Sequence, residues 1–318
     1  MNDVDPREIR KSAVAGTWYP GSASALADTI DGFMAAVDIG PVRGELMGLV
    51  SPHAGYSYSG GVAAYAYRQL EDRTYPTVAV VSPVHQHYGG SYLATSKRYY
   101  ETPFGLIQVD TEVLSRVDKE VGLRFLDQDG EHSLEIQLPF LQHMLGEFTL
   151  VPVMMGDQSL SACQQLSAAL VKVLAGKEAL LVASSDLAHL HDYQQVLEHD
   201  RFVQKFVTDF DPEGLAQSLA RNEAQACGGG PIVTVMLASR ERGADTAEVL
   251  KYMNSGDVTG IRTSGQYTVA SWREQPTKPL DRPSWREPPF TPWGRWCGWQ
   301  TPGGPEPPLG SACPRPPL

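Results

Sequence analysis

ALLVASSDLAHLHDY, residues 179–193, opens on an apolar run, passes through two serines, and then presents an aspartate and two histidines. Ala179–Ser184 reads as a strand buried on both faces, because such strands show a continuous rather than alternating hydrophobic run, here Ala179–Ala183. Two other stretches repeat the design. LVSPHAGYSYSGG (49–61) places His53 directly after apolar Leu46–Ser51, and VAVVSPVHQHYGG (78–90) places His85 and His87 directly after Thr77–Ser82. In open α/β sheets, functional groups gather just past the carboxyl ends of strands. A lone histidine is more often a satisfied structural residue. Three separate strand ends with the same chemistry, here including Asp186, His189 and His191, point instead to one shared site.

Working outward, Leu106–Val109, Thr149–Met154 and Tyr267–Ala270 read as further strands. Helices are expected at Ser24–Val37, Gly61–Leu70, Thr111–Val121, Ser133–Met144, Ser159–Ala175 and Ile232–Glu241, the first with Ser22 or Ser24 as its cap. Strands alternating with amphipathic helices predict an α/β/α sandwich around a mixed central sheet. One domain over residues 1–272 accounts for this pattern. From Arg273 to Leu318 the composition changes: 13 of the 24 prolines and four of the six tryptophans lie there. Proline at that density removes backbone donors and blocks both helix and ladder, so 273–318 is expected to be a disordered tail.

The charge balance, 26 basic against 37 acidic residues for a net −11, argues against nucleic-acid or anionic-membrane binding, both of which need a basic surface. The N-terminus MNDVDPREIRKS lacks the apolar segment of a secretory signal, and no apolar run approaches the ~18 residues of a membrane span. Four scattered cysteines without a CxxC pair do not make a disulfide framework. A reducing cytoplasm is the expected setting.

Two more segments carry chemistry. In EHSLEIQLPF (131–140), His132 and Glu135 share one face of a helix start, where acidic residues also favour the dipole. In QACGGGPI (225–232), Cys227 precedes three glycines and Pro231 at the head of an apolar helix. A thiol at a helix N-terminus is expected to have a lowered pKa, suiting metal binding or nucleophilic attack. Asp186 and His189 read equally as an orienting acid with a general base, or as a helix cap with a packed imidazole beneath that helix.

GTWYP (16–20), PHAGYSYSG (52–60), SPVH (82–85), EHSLEIQLPF (131–140), SSDLAH (184–189), ACGGGPI (226–232) and SGDVTG (255–260) follow one another in a sequence that resembles the Memo family, called AmmeMemoRadiSam system protein B in bacteria and archaea. The resemblance covers about residues 12–270. It implies a fold related to class III extradiol dioxygenases, with His53, His85 and Cys227 as metal ligands, Asp186 and His189 lining the same pocket, and His132 close by. It implies iron or copper as the ion, with zinc also suited to two imidazoles and a thiolate. Because a thiolate replaces the carboxylate of the usual iron triad, dioxygenase activity does not follow from the fold. The expected function is a metal-dependent oxidoreductase of unknown substrate. The alternative is a non-catalytic pocket for a peptide or small molecule. The bacterial family name implies an AMMECR1-type protein and a radical SAM protein as partners.

Overall fold

The computed structural model describes residues 4–259 and 266–273. The chain runs β1 (Ile9–Arg10), α1 (Ala23–Ala35), β2 (Leu46–Ser51), α2 (Tyr56–Tyr67), β3 (Thr77–Pro83), β4 (Tyr92–Thr95), β5 (Tyr99–Thr102), β6 (Gly105–Val109), α3 (Thr111–Val121), β7 (Arg124–Leu126), α4 (His132–Glu135) and α5 (Leu138–Leu145). It continues β8 (Thr149–Met155), α6 (Leu160–Val173), β9 (Ala179–Ser184), α7 (Tyr193–Thr208), α8 (Pro212–Ala220), α9 (Gly229–Glu241), β10 (Thr246–Asn254), α10 (Ser255–Thr259) and β11 (Gln266–Arg273).

The sheet has the order β1-β5-β6-β8-β3-β9-β2-β11-β10, with β4 and β7 branching from β8. Its centre, β6-β8-β3-β9-β2, is parallel, while β11 and β10 add antiparallel strands at one edge. Helices α1, α2 and α5 cover one face; α3, α6, α8 and α9 cover the other. This is the mixed-sheet α/β/α sandwich expected from the alternation. The reason is visible in β2, β3 and β9, whose residues are all buried, as a parallel strand between two helical layers must be. Among the described residues, no helix is long and apolar enough to cross a membrane. The expected tail 273–318 lies outside the described residues apart from Arg273, where β11 ends.

Two helices depart from the sequence reading. The single helix expected over Ser133–Met144 is two, α4 and α5. Pro139 lacks the N–H that would bond to the Glu135 carbonyl four residues back, so the ladder is interrupted there. Helix α2, expected from Gly61, begins at Tyr56, whose N–H donates to the Trp18 carbonyl (2.8 Å). Gly60 and Gly61 lower local helix propensity, but burial of Val62, Ala63, Ala64 and Tyr67 outweighs a propensity deficit of about 1 kcal/mol per glycine.

One end of the chain is fastened by charge. Arg10 is buried, and its guanidinium donates to the Asp129 carboxylate (2.8 Å), the Glu131 carbonyl (2.6 Å) and the Glu135 carboxylate. Glu135 also accepts from Ser12 (2.6 Å), the Tyr19 hydroxyl (2.7 Å) and the N–H groups of Ala13 (2.8 Å) and Val14 (3.1 Å). Burial alone would push this carboxyl up, yet Arg10 and these donors hold it below the usual range. Breaking a buried ion pair from one side leaves a charge without compensation, at a cost of about 3–5 kcal/mol. Arg10→Met is therefore expected to lose about 3–5 kcal/mol in urea unfolding. A loss under about 1 kcal/mol would show that the cluster does not hold the N-terminal segment.

Candidate metal centre

Strand order assembles the site. β9 lies between β2 and β3, with Ser51 opposite Ser184 and Val81 opposite Ala183, so the segments after all three strands emerge at one edge. His53 is buried there, and its Nδ1 is 2.9 Å from Ser184 Oγ. The Ser184 hydroxyl has a single proton, which it donates to the Ser133 carbonyl (2.5 Å). It must accept from its other neighbours, the Gln137 side-chain amide (2.7 Å) and His53 Nδ1. The network thus assigns the His53 proton to Nδ1 and leaves the Nε2 lone pair facing inward. Burial, reinforced by nearby His85 and His132, lowers the His53 pKa well below its ordinary value, keeping the ring neutral.

His85 is oriented by Glu131. One carboxylate oxygen accepts from the His85 backbone N–H (2.6 Å) and the other faces His85 Nδ1 (2.9 Å), so Nε2 again carries the free lone pair. The same carboxylate caps α4 through the N–H groups of His132 (3.1 Å) and Ser133 (3.2 Å). Burial would raise its pKa, but hydrogen bonds from His85 and Ser133 hold it down at about 2. His132 stacks on His85 with ring centres 4.7 Å apart, its Nδ1 3.4 Å from Glu131, and the Trp18 ring centre lies 4.3 Å from its own.

Cys227 closes the set, with Sγ 3.1 Å from His53 Nε2. Its position depends on Gly228: a Cβ there would fall 2.3 Å from the Ser184 carbonyl oxygen, so only glycine lets the segment lie against the end of β9. The thiol does stand just ahead of α9, as expected, but its expected lowered pKa is overturned. Burial, with the neighbouring Asp186, pushes it up. The reason is one of magnitude. A helix terminus is worth about 0.3–1 kcal/mol, less than one pKa unit, and desolvation of the partly buried thiolate exceeds that. With His53 protonated on Nδ1, the metal-free thiol donates S–H to Nε2.

One ligand atom each from His53, His85 and Cys227 lies within 4.8 Å of the others. A tetrahedral ion with bonds near 2.0–2.3 Å needs its ligands roughly 3.5 Å apart. The donor set fits: two imidazoles with assigned tautomers and one thiol. A second grouping, His85, Glu131 and His132, is also close. There Glu131 already serves three backbone donors and two rings, so its role is orientation.

Asp186 and His132 join the three, but His189 is held differently. Asp186 Oδ1 accepts the His53 N–H (2.9 Å), and burial pushes its carboxyl up to about 7. It caps no helix; α7 begins at Tyr193 and is capped by Asp192. His189, exposed rather than packed beneath a helix, lines a cavity together with Cys227. His87 and His191 are exposed and belong to neither ligand grouping. Sequence reasoning missed Ser184 and Gln137, which orient His53. It also missed Asp200, whose buried carboxylate accepts the Ala188 N–H (3.0 Å) and the Tyr252 hydroxyl (2.9 Å) and so holds the Asp186–His189 loop. The serine doublet at the end of β9 was the one available signal.

Comparison with known proteins bears on this geometry. A family model described as Memo-like protein matches residues 10–269. A MEMO1 family protein of Methanobrevibacter smithii is 35% identical over 271 residues, covering 80% of this chain and 96% of the relative. One from Methanosarcina mazei is 37% identical over 262 residues, covering 80% and 94%. A solved structure of an uncharacterized Escherichia coli K12 protein superposes with a TM-score of 0.48 at 13% identity, covering 71% of this chain and 99% of that one.

Asp200 gives the loop a measurable signature. Burial pushes its carboxyl up to about 7 from an ordinary 3.8, so between those values the folded state binds the extra proton. Stability contributed by the protonated carboxyl is present near pH 4 and lost as pH rises through 7. Asp200→Asn cannot ionise, so its Tm relative to the parent is expected to climb between about pH 5 and 8. A pH-independent difference would show that Asp200 is ionised throughout.

Proposed function

The chain belongs to the Memo-like protein family, and we propose that it is a metal protein whose ion is held by His53 Nε2, His85 Nε2 and the Cys227 thiolate. The observation that carries this is the agreement of two hydrogen-bond networks, one on each histidine. Ser184 and Glu131 each occupy an Nδ1 and leave an Nε2 free, and one ligand atom each from His53, His85 and Cys227 lies within 4.8 Å of the others. Hydrogen bonds from the second ring nitrogen to carboxylate or hydroxyl fix ligand tautomers in metal sites. Redox activity with iron or copper as the ion, or zinc as the non-redox alternative, is the reading that the mixed nitrogen and sulfur donors support.

Bound there, the ion would supply Lewis acidity or one-electron chemistry at positions left open to a substrate. The chain's own residues do the rest. Glu131 holds the charge that keeps His85 oriented. Asp186 grips the His53 backbone, and burial shifts its carboxyl toward the neutral form beside Cys227. His132, with Nδ1 turned to Glu131, has Nε2 to give or take a proton at the exposed face. His189 stands at the opposite, Cys227 side and is the proposed partner for a substrate proton. A cytoplasmic setting, with AMMECR1-type and radical SAM proteins as partners, belongs to the same proposal; the free thiols Cys163 and Cys227 support the setting.

Elemental analysis of untagged protein is expected to find close to one equivalent of iron, copper or zinc. The double variant His85→Ala, Cys227→Ala should retain less than about a tenth of it, and Glu131→Gln should weaken affinity about 10–100-fold. Undiminished metal in the double variant would overturn the assignment.

A further inference from the structure

A cavity of about 670 Å³ opens on the Cys227 flank, between α8, the head of α9, the start of α6 and the Leu187–His189 loop. Cys227 and His189 line it together with Leu160, Leu187, Leu219 and Val233. Among the described residues, no Asp, Glu, Lys or Arg lines it, although charged residues make up 20% of the chain. The Gln158 amide, a group able to recognise an ion, is already engaged. It donates to the Cys227 carbonyl (2.8 Å) and accepts from the Gly230 N–H (2.8 Å). The remaining polar side chains of the lining, such as Asn222, Gln225 and Ser159, are uncharged amides and a hydroxyl.

We infer that this cavity binds a neutral molecule with a compact apolar body and seats one end of it against Cys227 and His189. Burying an ionic group in a cavity without an opposite charge strips its hydration with nothing in return, whereas an apolar chain leaves water favourably. The volume lies within the range of small-molecule sites, which bury most of the ligand. Terminal polarity is matched by amide side chains and the imidazole of His189, so an uncharged hydrogen-bonding head is the complement. The inference names a substrate class for the proposed metal centre and rests on that reading only for what the seated end meets.

Hexanamide, hexanoate and hexylamine provide three probes of one length and different charge. Titrated into the protein with methyl NMR on Leu160, Leu187, Leu219 and Val233, hexanamide is expected to saturate, and the two ions to bind at least about ten-fold more weakly. Ala220→Trp, on the exposed end of α8 and lining the cavity, should weaken hexanamide by a similar factor. If that variant does not fold, Ala216→Leu narrows the same wall and should weaken it measurably. Cobalt(II)-loaded protein supplies the second arm, since hexanamide seated beside Cys227 should perturb the thiolate-to-cobalt absorption. Methyl shifts without cobalt uptake would leave the cavity assignment standing and sink the metal centre. Cobalt uptake with hexanamide and hexanoate binding equally, or with Ala220→Trp unaffected, would overturn the cavity assignment.

Discussion

The site depends on one buried negative charge, that of Glu131. An isolated carboxylate in a protein interior is strongly unfavourable, and it persists only when hydrogen bonds replace its lost hydration. Glu131 has such bonds from the His85 backbone, the His85 ring and the first N–H groups of α4. Each of these is also a positional constraint. The carboxylate cannot be satisfied unless the turn after β3 and the head of α4 are brought together, and that juxtaposition stacks His85 on His132. The constraint reaches further through Arg10, which grips the Glu131 carbonyl and ties it to Glu135 and so to the segment carrying Trp18. A charge placed for helix capping therefore also organises the exposed face of the site.

The opposite face is built without charge. His53 and Cys227 meet as neutral imidazole and neutral thiol, and the carboxyl beside them, Asp186, is pushed up toward neutrality by burial. Ser184 supplies the proton-accepting hydroxyl that Glu131 supplies as a carboxylate on the other side. The two histidines thus have the same tautomer but different surroundings, His53 sealed and His85 reaching solvent. Only the strand order explains why they meet: β9 carries Ser184 and Asp186 into the gap between the ends of β2 and β3.

Much of this could be read from sequence, and the rest has identifiable reasons for being hidden. Strands such as Leu46–Ser51 and Ala179–Ser184 were legible to the residue because a parallel strand under two helical layers is apolar along its length, up to the serine at its end. The strands β1, β5 and β10 were not, since partly exposed strands give a weak signal; β5, for instance, alternates in burial over only four residues. Helices α7 and α8 were overlooked, although α7 has the polar and apolar faces of a surface helix. At the site, strand ends nominated His53, His85, Asp186 and His189 together with His87 and His191. Selecting His53, His85 and Cys227 needed the family resemblance. Ser184 and Gln137 act on partners 131 and 47 positions away, and Asp200 acts across a loop, and no local pattern marks such pairings.

The thiol at position 227 suits a site that must fold before any ion arrives. Its Sγ accepts the Asp186 N–H (3.3 Å) and lies 3.5 Å from the Asp186 carbonyl. A carboxylate there would place a second acid beside Asp186, and one of the two would have to hold a proton or the fold would lose stability. A thiol avoids the conflict, because its neutral form is the ordinary one and His53 Nε2 accepts its hydrogen. In the metal-free protein the thiol is therefore satisfied and adds no charge beside Asp186. An ion must displace that proton to bind, since a coordinating thiol is deprotonated outright, and its gain is then spread over two imidazoles already fixed in the correct tautomer. Preorganisation resides in the histidines and responsiveness in the cysteine, a division that follows from the hydrogen-bond partner each of the three was given before the ion arrives.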